Sequence, residues 1–142
     1  MHDEKFQTYL AEKTGLDLIQ ITELFEKEVD VFKIALILIE KFDVDEKKLG
    51  RIWGDYIGFA YVDPNASLVN VEYIKKVGID FIKENNVLPL YKFGKAITIS
   101  TSNPQNPYIQ DKLEKKLGEI VSFVFCFPFD IEIYLAFNQN KI

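Results

Sequence analysis

Apolar residues recur at helical spacing over the first 57 positions; beyond that, helical stretches are interleaved with segments where they alternate or run together. Phe6, Tyr9 and Leu10 form a short stripe on a first helix, which Gly15 ends. Leu18, Ile21 and Phe25 continue the i, i+3, i+7 spacing on a second. Asp30 caps a third, which runs to about Phe42. Its sequence, VFKIALILIEKF, is charged only at Lys33, Glu40 and Lys41. A helix apolar on nearly every side is expected to be buried. A fourth opens at Asp43 or Asp45, where carboxylates suit the positive end of the helix dipole. Leu49, Ile52, Trp53, Tyr56 and Ile57 give it an amphipathic stripe, and Gly58 ends it.

The pattern changes near residue 58. FAYVD reads as a short extended piece. Residues 70–85 read as helical, capped by Asn70, with Tyr73, Ile74, Val77, Phe81 and Ile82 inward and a break at Gly78. VLPLYK, a Phe93-Gly94 turn and KAITIS predict a hairpin. After the loop TSNPQ comes a punctuated helix: Asn106 as cap, Pro107 at the first position, Ile109, Leu113 and Leu117 inward, Gly118 past the end. VSFVFCF is a continuous apolar run and predicts a strand buried on both faces. Pro128 stops it, and Asp130 starts a last helix with Ile131, Tyr134 and Leu135.

The fold class is therefore α+β. A helical lobe over residues 1–57 precedes a small α/β lobe over 58–142, ordered helix-strand-strand-helix-strand-helix around a three-stranded sheet. Pro89 cannot donate to a ladder, which disfavours a central first strand and favours a mixed sheet with the second strand in the middle. A fully antiparallel sheet with the first strand central stays open.

Composition narrows the function. Hydrophobic residues make up 48%, enough for a core and against disorder. Seventeen Lys and Arg against 22 Asp and Glu give a net charge of −5, with no basic surplus for binding nucleic acid. The longest apolar run, residues 34–39, is far short of a membrane span, and the acidic, mixed N-terminus has no apolar signal core. A cytoplasmic protein without direct membrane insertion is expected. Cys126 is the only cysteine, so neither an internal disulfide nor a cysteine-based metal site is expected.

Catalytic signatures are missing. GxGxxG, GxSxG and HExxH do not occur, and the residue five before the Gly94-Lys95 pair is Pro89, not the glycine of a phosphate loop. His2 is the only histidine and sits at a terminus. Cys126 reads as a packing residue, since burial without a nearby base gives no nucleophile. Asp43, Asp45 and Glu46 lack the glycine and closing Glu of a calcium loop and read as helix-start carboxylates. Ser100, Thr101, Ser102 and Asn103-Pro104 read as a turn. Trp53 fits the core or a partner anchor. No two acids are placed for hydrolysis. No catalytic, cofactor-binding or metal residues are expected.

Between residues 50 and 137 the order of features is specific. GRIWGDYIGFAYVD, then VGIDFIKENNVLPLYKFGKAITISTSNPQN, then KLGEIVSFVFCFPFDIEIYLAF resembles the N-terminal domain of the type II secretion, type IV pilus and DNA-uptake traffic ATPases. Pro89, Gly94, Asn103-Pro104 and Asp130, in order and at the right spacing, carry the resemblance. It implies a docking domain that is not itself an enzyme. A motor domain of the same polypeptide, hexameric at full length, would bind ATP and Mg. The partner implied is the cytoplasmic part of an inner-membrane platform protein, which would place the domain at the membrane through a protein. The surface expected to dock is Phe6, Tyr9 and Leu10, though the same stripe also fits packing on the helix at 31–42.

Some members of that family bind cyclic di-GMP through a helical motif that opens Arg-Leu-Gly, has a second Gly and closes with Gln. Anchored on Leu49, the motif falls on Lys33, Ile34 and Ala35, then Phe42, then Tyr56. Only the apolar framework at Ile34, Leu38, Ile39, Val44, Leu49 and Trp53 is kept. A cyclic di-GMP sensor is therefore the alternative function, with a degenerate motif. Ala35 and Phe42 do not allow the backbone approach that glycine allows, and Lys33 lacks the planar fork of arginine.

Overall fold

A computed structural model describes residues 4–142 and divides the chain into two compact units, Met1–Gly58 and Phe59–Ile142. The first is built of four helices: α1 (Glu4–Thr14), α2 (Leu18–Lys27), α3 (Val31–Lys41) and α4 (Glu46–Ile57). Each of the last three opens on an aspartate whose carboxylate accepts a backbone N–H of the first turn. These are Asp17 to Ile19, Asp30 to Phe32 and Asp45 to Lys48. Gly58 closes α4 at φ 86°, a conformation costly for any side chain. The interior includes Leu10, Ile21, Phe25, Ile34, Ala35, Leu38, Leu49 and Trp53.

The expectation that the third helix is buried all round is corrected. Only Ile34, Ala35 and Leu38 of α3 are buried, while Val31, Phe32, Leu36, Ile37 and Ile39 are half-exposed. Four short helices bury one stripe of a neighbour, not its circumference.

The second unit contains α5 (Val71–Val77), α6 (Ile79–Asn85), β1 (Val87–Phe93), β2 (Ala96–Thr101), α7 (Pro107–Leu117), β3 (Ile120–Phe125) and α8 (Pro128–Phe137). Short 3-10 turns lie at Pro64–Ala66 and Gln139–Lys141. The sheet has the order β1-β2-β3, with β1 antiparallel and β3 parallel to the central β2. Pro89 is thus on an edge strand, and the β1–β2 register slips beside it, between Pro89 and Tyr91. The hairpin turns on Gly94-Lys95 and not on Phe93-Gly94. Phe93 still pairs with Ala96, and Gly94 takes φ 62°, as the first residue of a tight hairpin turn requires.

Two further expectations shift. β3 is not buried on both faces. Val121 and Phe125 are buried, but Ile120 and Ser122 are exposed and Phe123 and Val124 half-buried. A strand flanked on one side only keeps part of its surface in water. The FAYVD segment supplies the other side for one residue: Phe125 N–H donates to Ala60 O at 2.7 Å, and Val62 N–H donates to Phe125 O at 2.9 Å. The last helix opens at Pro128, so Asp130 is its third residue and not its first. The core gathers Ile74, Val77, Ile82, Leu88, Ile97, Ile99, Leu113, Val121 and Ile131.

Candidate docking surface

Phe6, Tyr9 and Leu10 share one face of α1, and the structure separates their roles. Leu10 is fully buried and Phe6 is 7% exposed. The Phe6 ring meets Trp53 edge-on at 4.7 Å, Phe25 edge-on at 6.2 Å and Tyr56 at 4.8 Å. The stripe therefore packs on α2 and α4, and Phe6 and Leu10 belong to the interior of the helical unit. Tyr9 is half-buried. Its ring lies 5.0 Å from that of Tyr56, and the Lys13 ammonium sits 5.7 Å above it. Burial, helped by the charge of Asp55, pushes the Tyr9 phenol above its ordinary range. Of the three residues, Tyr9 offers an edge to the outside.

Two depressions flank α1. One, of about 460 Å³, is lined by Glu4, Lys5, Thr8, Tyr9, Glu12 and Tyr56. The other, of about 510 Å³, lies between α1 and α2 and is lined by Glu4, Gln7, Thr8, Leu18, Thr22 and Glu26. Leu18 and its neighbour Ile19 are 42% and 67% exposed, a large apolar surface for the first turn of a helix. The sequence pattern missed this feature. Leu18 fits the inward spacing of α2, and nothing local says that Ile21 and Phe25 alone meet the core. Charge is also unevenly placed. Met1–Gly58 holds 13 Asp and Glu against eight Lys and Arg, while Phe59–Ile142 holds nine of each, so the whole net charge of −5 sits on the helical unit.

The positions that would hold a cyclic dinucleotide are differently occupied. Ala35 is fully buried, and Phe42 follows the end of α3. Tyr56 rests on Phe6 and Tyr9. Lys33 is exposed. No glycine opens the backbone there to a ligand.

The remaining candidates have structural roles. Asp45 caps α4, and Asp43 precedes it at φ 55°. Asn103 N–H donates to Thr101 Oγ1 at 3.2 Å within the turn. Cys126 is fully buried, which pushes its thiol far up, although Ser100 beside it works the other way. His2 lies outside the described residues. Asp130, seen in the sequence only as a helix start, is a buried hub. Its Oδ2 accepts from Phe127 N–H at 3.0 Å and from the Tyr61 hydroxyl at 3.3 Å. Asn65 Nδ2 donates to its carbonyl at 2.8 Å and to Asp63 Oδ1 at 3.1 Å. These bonds tie the segment at 61–65 to the start of α8. Among the described residues no helix is long and apolar enough to cross a membrane.

Comparison with known proteins follows the same lines. The family profile of the MshEN domain matches residues 57–139. The solved structure of MshE with cdg is 15% identical, covering 92% of this chain and 96% of that one, with a TM-score of 0.65. The N-terminal domain of XpsE is 13% identical, covering 96% of this chain and 98% of its own, with a TM-score of 0.52. At such identities the likeness is one of fold. No curated protein matches.

Proposed function

The chain belongs to the MshEN domain family of secretion and pilus ATPase N-terminal domains, and we propose that it is a non-catalytic docking module. It would join a traffic ATPase of a type II secretion, type IV pilus or DNA-uptake machine to the cytoplasmic side of an inner-membrane platform protein. ATP and Mg belong, on this reading, to a motor domain of the same polypeptide, hexameric at full length. The observation that carries the proposal is that membership, joined to a helical unit that leaves aromatic and aliphatic side chains exposed. Tyr9 and Tyr56 sit beside one depression on α1, and Leu18 lines the other, with the exposed Ile19 next to it in the chain. Aromatic and aliphatic side chains at the centre of a patch are what specific interfaces use. A net charge of −5 gives no attraction to an anionic membrane surface, so recruitment by a protein fits better than recruitment by lipid.

The second reading is a cyclic di-GMP sensor, and MshE, solved with cdg, is what favours it. The side chains at the motif positions weigh against it. A buried Ala35 and a Tyr56 packed on two rings replace the glycine and glutamine that the motif needs.

Capture of the purified cytoplasmic part of a platform protein by the intact chain tests docking. Tyr9→Ala is expected to weaken capture while the fold stays intact. If the wild-type chain captures no platform component, the docking reading is wrong.

A further inference from the structure

We propose that the groove between α1 and α2 is a seat for a basic amphipathic segment of the partner. Its Lys or Arg side chains would face Glu4 and Glu26, and an aliphatic side chain would rest on Leu18 and Ile19. This inference rests on the docking reading and names the chemistry of what docks.

Charge supports it first. The helical unit holds all of the molecule's surplus of acid. In the groove that surplus meets an exposed apolar side chain, Leu18, in a concave surface: its two charged lining residues among the described ones are both carboxylates. Among the described residues no ion pair engages Glu4 or Glu26. Asp17, at the head of α2 and beside Leu18, adds a third negative charge; its carboxylate accepts the Ile19 N–H at 3.0 Å. A potential of one sign over a concave surface draws in the opposite charge and sets the orientation of docking.

The apolar content supports it second. Leu18 lines the groove and Ile19 follows it, both well exposed at the start of α2. An amphipathic helix or strand offers what this surface lacks, an aliphatic face bordered by cations. The other depressions select less. The one beside Tyr9 mixes Glu4 and Glu12 with Lys5. One in the α/β unit sets Lys83 beside Glu132. The apolar patch of Leu68, Ile133 and Phe137 lies in a unit of zero net charge, and nothing there chooses an occupant.

The test uses the intact chain and a fluorescein-labelled amphipathic peptide of Lys and Leu, with a Glu and Leu peptide as its opposite. Anisotropy should report binding of the basic peptide that weakens with salt, and none of the acidic one. Glu26→Lys should weaken binding about tenfold, and Glu40→Lys, an equal change in charge on α3, by less than about threefold. Leu18→Ser should weaken it with the salt dependence unchanged. Equal losses at Glu26 and Glu40, or equal binding of both peptides, would mean that the peptide feels only the overall field, and the groove is then rejected. Capture of the platform protein separates the two ideas. If capture persists undiminished in Glu26→Lys, the groove fails and docking stands. If the platform is never captured but the peptide shows the Glu26-dependent binding, docking fails and the groove stands.

Discussion

Phe6 and Tyr9 are three residues apart on one helix face, and their substitution should cost very different amounts of stability. Phe6 fills a site among Phe25, Trp53 and Tyr56, so Phe6→Ala should cost about 3–5 kcal/mol. Tyr9→Ala removes a half-buried ring at the rim and should cost about 1 kcal/mol. Trp53 is the only tryptophan, so its fluorescence during urea unfolding reads the helical unit directly. The spacing of apolar residues shows which side chains share a face. It does not say whether core or partner covers that face, which is why Phe6, Tyr9 and Leu10 read alike in the sequence. Cys126 makes a pH-dependent prediction. Burial holds its thiol above the ordinary value of 9.0, so the stability it contributes is complete below that pH. As pH rises further the unfolded thiol ionises while the folded one stays neutral, and stability falls by about 1.4 kcal/mol per pH unit. Cys126→Ala should lose less stability than wild type between about pH 8 and pH 10 in urea denaturation followed by circular dichroism. Equal losses would show that the thiol does not govern this range.

Elements were most legible where end signals and periodicity agreed. Asn106, Pro107 and Gly118 bracket α7, and Asn70 and Gly78 bracket α5. The hairpin followed from alternation, and Pro89 went to an edge because it cannot donate. The apolar runs of α3 and β3 were less legible. A run of apolar residues says that an element prefers burial, but the number of neighbours available to bury it is a property of the assembled unit. In β3 that number is small enough to leave Ile120 at 61% exposure. The hydrogen bond from Tyr61 to Asp130, 69 residues away, has no local signature at all. End signals also carry energy. Asp45 accepts the Lys48 N–H at 2.9 Å, so Asp45→Ala should lower the stability of the helical unit by about 1 kcal/mol. Trp53 fluorescence should show that loss, and Asp45→Asn should restore most of it.

At the scale of the molecule, the two units differ in charge as well as in architecture: one carries −5 and the other none. A surface of this kind binds in a salt-dependent way, and capture of the platform protein should weaken as ionic strength rises. The family and the fold were legible from ordered landmarks in the second half of the chain. The match at residues 57–139 covers the stretch in which Pro89, Gly94 and Asn103-Pro104 stand. A ligand is a different matter, because it depends on a few contact atoms and not on the framework. Tyr56 packed on Phe6 and Tyr9 leaves the framework intact and changes the contact. Isothermal titration with cyclic di-GMP should therefore show no binding in the micromolar range. A micromolar affinity with a clear thermal shift would promote the sensor reading.

The bridge between residues 60–62 and Phe125 has a consequence for synthesis on the ribosome. Partners that meet in space here are made at very different times. At about 5–20 residues per second, Phe125 follows Val62 by roughly 3–13 seconds. The helical unit closes when α4 reaches Phe6 of α1, and it can form once Gly58 has emerged. The mixed sheet has to wait for its third strand. During that interval a nascent chain would present a finished helical unit ahead of an unfinished α/β unit. Limited proteolysis of ribosome-bound chains stalled before β3 should leave the helices protected and cleave beyond Gly58.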